Sequence, residues 1–101
     1  MKKIIFFFVF LTFSNPSISD SKLELGSEIY KNKAQCGVCH TLKVAGSVSN
    51  IGPNLDQLKA QLEQIVYVVT NGRGVMPSFK GTLTLEEIEA VAHYVFNGTN
   101  K

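Results

Sequence analysis

Three reactive side chains fall at fixed offsets in Cys36-Gly37-Val38-Cys39-His40. The chemistry this spacing supports is covalent capture of a haem. Each thiol can form a thioether to one vinyl group, and the next residue then carries an imidazole under the iron. The chain has 2 cysteines, so none is left over. Other uses of the pair ask for company that the chain lacks. A redox-active Cys-x-x-Cys expects a βαβ setting, and no strand-rich pattern flanks this one. A zinc site wants four ligands, against two cysteines, the adjacent His40 and a distant His93. A plain disulfide in an exported chain is the alternative that the spacing leaves.

A second stretch, Gly72-Arg73-Gly74-Val75-Met76-Pro77, offers a partner for that iron. Methionine usually fills gaps in a core. Here it sits in a loop bounded by Gly and Pro, beyond a helix end, where filling is not the obvious need. A thioether is a soft ligand, and Met/His ligation raises the haem potential. Met76 is therefore the expected sixth ligand. His93 is the rival, but helical spacing puts it on a polar face with Glu86 and Glu89, one turn from Glu89. It reads as a solvated surface histidine. Pro53, in Gly52-Pro53-Asn54-Leu55, fixes the backbone path of a turn, and its carbonyl is a candidate acceptor for His40 Nδ1.

Helices must position these groups. Ser21-Lys22-Leu23-Glu24 has the form of a capping box, and Leu23, Gly26, Ile29, Tyr30 and Ala34 follow on one helical face. Gly26 within that face predicts a close helix crossing. Thr41 to Asn50 is a Ser-, Gly- and Val-rich loop. Leu58, Leu62, Ile65, Val66 and Val69 predict one helix over 58–70, stopped by Asn71 and Gly72 in the manner of a left-handed cap. Thr84-Leu85-Glu86-Glu87 is a second capping box, and its acidic residues suit the positive end of the helix dipole. Behind it, Leu85, Ile88, Val91, Ala92, Val95 and Phe96 form a buried arc, with Gly98 as the stop.

The first residues read as an address. Lys2 and Lys3 precede an apolar run from Ile4 to Phe13, and Ser17-Ile18-Ser19 supplies the small residues of a cleavage site. The division is a signal peptide at 1–19 and one domain at 20–101. The apolar run is about ten residues long, too short to cross a bilayer as a helix; an uncleaved anchor is the alternative. The whole chain has 10 Lys and Arg against 8 Asp and Glu. Lys2 and Lys3 leave with the leader, so the mature chain is formally neutral. It lacks the basic stripe that a nucleic-acid partner calls for. Such a small domain is near the size where a polypeptide core alone is marginal, and a buried macrocycle would supply the missing apolar surface.

In this order, the features resemble a small class I cytochrome c of the short bacterial and c6-like kind. Gly26 and Tyr30 precede Cys36, Cys39 and His40; then come Gly52-Pro53-Asn54-Leu55, Gly74-Val75-Met76-Pro77 and Tyr94-Val95. The resemblance covers nearly all of the mature chain. It implies an all-α cytochrome c fold, with three to four helices wrapped around one haem c and the first and last helices crossing where Gly26 and Tyr30 meet Tyr94. It implies that Cys36 and Cys39 carry the haem while His40 and Met76 bind its iron. It departs from c5-type proteins, which carry a further cysteine pair. The function implied is that of an electron carrier and not an enzyme, exported to the periplasm or an equivalent compartment. Monomeric, it would exchange single electrons with membrane oxidoreductases, oxidases or other cytochromes. Lys43 and Lys80 are expected to rim the exposed haem edge and help dock an acidic partner. The alternatives are a gas-binding or sensor haem protein, a haem-bearing subunit of a larger oxidoreductase, and an exported thiol–disulfide protein without haem.

Overall fold

The structure is a computed structural model, and it describes residues 19–100. The leader expected at 1–19 lies outside the described residues, except for Ser19. Among the described residues four α-helices make the fold: α1 (Asp20–Glu28), α2 (Leu55–Leu58), α3 (Leu62–Asn71) and α4 (Leu85–Thr99). Among the described residues there are isolated β-bridges but no strand, and no helix is long and apolar enough to cross a membrane.

Helix α1 starts two residues earlier than its capping pattern predicts. Ser19, in extended backbone, is the N-cap, and its hydroxyl accepts from Lys22 N at 3.2 Å. Ser21 is inside the helix, where its own N–H is one of the first-turn donors and Asp20 meets the positive end of the dipole. The helix runs on into a wider turn over Ile29–Lys33, closed by Ala34 N donating to Ile29 O at 2.8 Å, five residues back. Such π-type turns tend to mark functional places. This one buries Ile29 and Tyr30 and releases the chain at Gln35, whose φ of 54° starts the Cys36–Val38 turn.

Gly26 lies against α4 so closely that a Cβ there would overlap Ala90 O and come within 2.6 Å of Tyr94 Cβ. The first and last helices therefore cross backbone to backbone, as its place on the apolar face predicts. One turn on, the rings of Tyr30 and Tyr94 pack tilted, with centroids 5.8 Å apart. The capping box at Thr84 forms as written: Glu87 N donates to Thr84 Oγ1 at 3.1 Å, and Thr84 N to Glu87 Oε1 at 2.9 Å. Glu87 also receives Lys33 Nζ at 2.7 Å, which ties the end of the wider turn to the start of α4.

Other expectations need correcting. The predicted helix over 58–70 is two helices. Lys59 takes a left-handed conformation (φ 49°) that ends α2, and Gln61 starts α3. Leu58 is consequently exposed and drops out of the apolar stripe. Gly72 does follow α3 with positive φ, but its ψ of 170° is not that of a left-handed cap. Leu85, the first residue of α4, is exposed, and Phe96 is only half-buried; Ala90, Tyr94 and Thr99 are buried in addition to Ile88, Val91, Ala92 and Val95 of the expected arc. Gly98 does not stop the helix, which continues to Thr99; it makes room for Val44 instead. The loop at 41–50 holds a short turn, Lys43–Ala45, and the fully buried Leu42, whose N–H reaches Ser47 O at 3.1 Å. The core is Ile29, Tyr30, Leu42, Val69, Leu83, Ile88, Val91, Tyr94 and Val95.

Candidate haem site

Beside Tyr30 the chain forms a cavity of about 140 Å³. Cys36, His40, Pro53 and Met76 line it from the loops. Ile65, Val68 and Val69 of α3 and Val91 and Val95 of α4 form apolar walls, and Tyr30 and Leu55 add to them. Two segments that are far apart in sequence thus bring a thiol and an imidazole (Cys36 and His40) and a thioether (Met76) to one apolar space. Cys39 is half-buried and does not line the cavity.

The haem motif is built from short-range bonds. Cys36–Val38 is a tight turn, and Cys39 N and His40 N both donate to Cys36 O, at 3.1 and 3.0 Å. The Ser49 hydroxyl donates to Val38 O at 2.8 Å, and Thr41 Oγ1 both accepts from Ser49 N and donates to Ser49 O. The buried Tyr30 hydroxyl lies 2.9 Å from Ser47 Oγ. These bonds fold the loop at 41–50 back over the motif. The two thiols are free, and burial pushes the Cys36 thiol up to about 11. It is therefore protonated at neutral pH. Burial likewise pushes the Tyr30 phenol up to about 12, partly offset by Ser47.

His40 Nδ1 lies 2.7 Å from Pro53 O. A carbonyl oxygen can only accept, so Nδ1 carries the proton and Nε2 keeps its lone pair for a metal. Gly52 lies flat against the ring: a Cβ there would come within 2.7 Å of His40 Cε1 and 3.0 Å of Nδ1. Gly52 N also donates to Cys39 O at 2.6 Å. The Gly-Pro turn therefore both orients the imidazole and leaves room for it. Asn54 finishes the turn by capping α2 through Asp56 N and Gln57 N.

Met76 is half-buried and packs against the core. Arg73 and Met76 exchange both backbone bonds, at 3.0 and 2.9 Å, around Gly74 in left-handed backbone (φ 59°). Two polar side chains at the cavity were not anticipated from sequence: Gln64 of α3 and Arg73, the cation that lines it. Lys43 and Lys80 do not line it; Lys43 borders a separate cavity with Asp56 and Lys59. His93 also lies off the cavity, on α4 with Lys22 and Glu89 as its charged neighbours, but it is half-buried and not the solvated surface histidine that its polar helical face predicts. Among the described residues, no three His, Cys, Asp or Glu side chains gather as a metal cage.

A family model described as cytochrome C oxidase, cbb3-type, subunit III matches residues 21–95. The crystal structure of the c-type cytochrome SorU from Sinorhizobium meliloti superposes with a TM-score of 0.76 at 47% identity, over 82% of this chain and 97% of that one. The chain belongs to the class I cytochrome c family. This cytochrome is also 38% identical to cytochrome c6 of Tetradesmus obliquus, over 74% of its own length and 89% of that protein's. It is 36% identical to chloroplastic cytochrome c6 of Chlamydomonas reinhardtii over 87% of its length, but spans only 62% of that relative. The family's group is a covalently bound haem c with iron, and the residues present suit it. An apolar cavity, two free thiols at the attachment spacing and an imidazole oriented by Pro53 O match its chemistry. Like its family, this cytochrome is an electron-transfer protein and not an enzyme.

Proposed function

We propose that this cytochrome is a soluble, exported one-electron carrier, with Cys36 and Cys39 holding the haem and His40 and Met76 ligating its iron. The observation that carries this reading is the convergence of His40 and Met76 on one apolar cavity, each on a loop braced by backbone bonds. When bound, the iron supplies a one-electron couple that the protein tunes but does not itself perform. The chain's own residues do the rest. Pro53 holds the imidazole proton at Nδ1 and Gly52 keeps the ring's place clear. The α3 and α4 walls exclude water, so a change of charge at the centre meets few dipoles that must turn. Val38 and Val75, next in sequence to Cys39 and Met76, are exposed apolar side chains suited to brief contact with a redox partner. The leader at 1–19, cleaved after Ser19, would take the α1 N-cap hydroxyl with it, so that the helix begins at the new terminus, Asp20; the product would be a monomer of neutral formal charge in the periplasm or an equivalent compartment.

Carbon monoxide added to the reduced protein separates the carrier from a gas-binding or sensor protein. With both axial positions filled, binding should be weak and slow. Fast, tight binding would rule out the carrier reading. The description of the matched family model favours a second reading, a haem-bearing subunit of a larger oxidoreductase. Gel filtration of the native extract distinguishes the two: red protein eluting at the size of the free chain supports the carrier, and elution only with a large complex supports the subunit.

A further inference from the structure

The last turn of α3 ends in carbonyls that the helix cannot satisfy. The segment after it takes them up. Gly72 N donates to Val68 O at 2.7 Å, Phe79 N to Val69 O at 2.9 Å, and the Ser78 hydroxyl to Thr70 O at 2.6 Å. Ser78 Oγ in turn accepts from Lys80 N at 3.2 Å, which leaves its hydrogen to point at Thr70. Between these anchors both backbone polar groups of Met76 are paired with Arg73, and Pro77 has no N–H to give. The bracket is tight: a Cβ on Gly72 would come within 2.7 Å of Met76 O and 2.8 Å of Ser78 N. Met76 is thus carried on a closed loop. Among the described residues, Ser78 supplies the side-chain hydrogen bond that pins the outgoing arm of that loop to α3.

We propose that Ser78 is a positioning residue for Met76, its hydroxyl latching the loop to α3 and so keeping the thioether on the iron against exchange by added ligands. The inference rests on Met76 being the sixth ligand. For an added ligand to take that position, the loop must swing away from the cavity. A swing of the outgoing arm breaks the Ser78–Thr70 bond. A ligand that binds only the opened form has an apparent affinity set by how often the loop is open. Removing the latch raises that fraction. Ser78 is exposed, so its loss disturbs no core packing, and the Phe79 and Gly72 backbone bonds still hold the loop's fold.

The test is a titration of the oxidised holoprotein with imidazole, following the weak iron–sulfur absorption, in the native protein, Ser78→Ala and Ser78→Thr. Unfolding midpoints are measured alongside. Ser78→Ala should bind imidazole about two- to tenfold more tightly, the range set by one net hydrogen bond, and Ser78→Thr should restore the native affinity. If the native protein has the iron–sulfur absorption and Ser78→Ala binds imidazole no more tightly, the latch is refuted while Met76 stands. A lower unfolding midpoint without a change in affinity would make Ser78 a structural contact only, and also refutes it. A native protein without that absorption overturns the ligand reading, and the latch with it.

Discussion

Substituting Gly26 by alanine tests the crossing of the first and last helices. In an isolated helix the change is favourable by about 1 kcal/mol, because glycine gives up more backbone freedom. Here the new methyl group would overlap Ala90 O and come within 2.6 Å of Tyr94 Cβ and 2.8 Å of Ala90 C. Those atoms are backbone, or fixed directly to it, so none can rotate away. Relief requires α1 to move off α4, loosening the Tyr30–Tyr94 contact. Overpacking of this kind costs about 1–3 kcal/mol, and against a rigid backbone the upper half of that range applies. Net of the helix term, the loss is about 1–2 kcal/mol. Gly98→Ala is the internal control. Its Cβ would meet Val44 Cγ1 at 2.7 Å, the tip of an exposed side chain that can turn aside. That variant keeps the helix gain and should match or exceed the native stability. Denaturant unfolding of the two holoproteins, compared at equal slope, reads the difference. The melting temperature of Gly26→Ala should fall by roughly 4–16 °C on the scale for a domain this size. Equal stability of the two variants would refute the backbone-to-backbone crossing.

Three further outcomes follow from the site and its supports. Gly52→Ala should tilt the His40 ring away from Pro53; resonance Raman or paramagnetic NMR of the haem should report a changed histidine environment, and an unchanged spectrum would contradict the close packing. Burial first, then Lys22, holds His93 below its ordinary value of 6.5, with Glu89 opposing. The unfolded chain therefore binds that proton first, so stability is full above pH 6.5 and falls as pH drops through the imidazole range; His93→Gln should flatten that part of the curve. The Lys33 hydrogen bond first, then the Thr84 backbone, holds Glu87 below the ordinary carboxylate value. Its contribution is present above that value and lost as pH falls through the lowered one; Glu87→Gln should blunt this acid-side loss, and added salt should shrink it because the pair is exposed.

The parts legible in the sequence are those fixed by local chemistry. The Cys36–His40 spacing, the Thr84–Glu87 box and the Gly52-Pro53 turn each specify their own geometry within a few residues. Gly26 could be read because an apolar face interrupted by glycine has few uses other than close approach. What was missed depends on tertiary context. Leu58 and Leu62 keep helical spacing, so nothing local reveals the break between them; it is made by a lysine in left-handed backbone and not by Gly or Pro. Leu42 sits in a polar loop and is buried because that loop folds back across Tyr30. The wider turn at Ile29–Lys33 leaves no sequence mark, yet it sets where Cys36 emerges. Ser19 and Ser21 both suit an N-cap, and only the path of the chain chooses between them. Arg73 was the nearest to being found, since it stands in the methionine loop that the sequence singled out.

The most direct measurement is an optical spectrum of the purified, exported protein, oxidised and reduced, beside Met76→Ala. A red protein with a weak iron–sulfur absorption in its oxidised form, lost in Met76→Ala, is the expected result and would establish His40 and Met76 as the axial pair. A native protein lacking that absorption, or a variant that keeps it, would contradict the assignment of Met76.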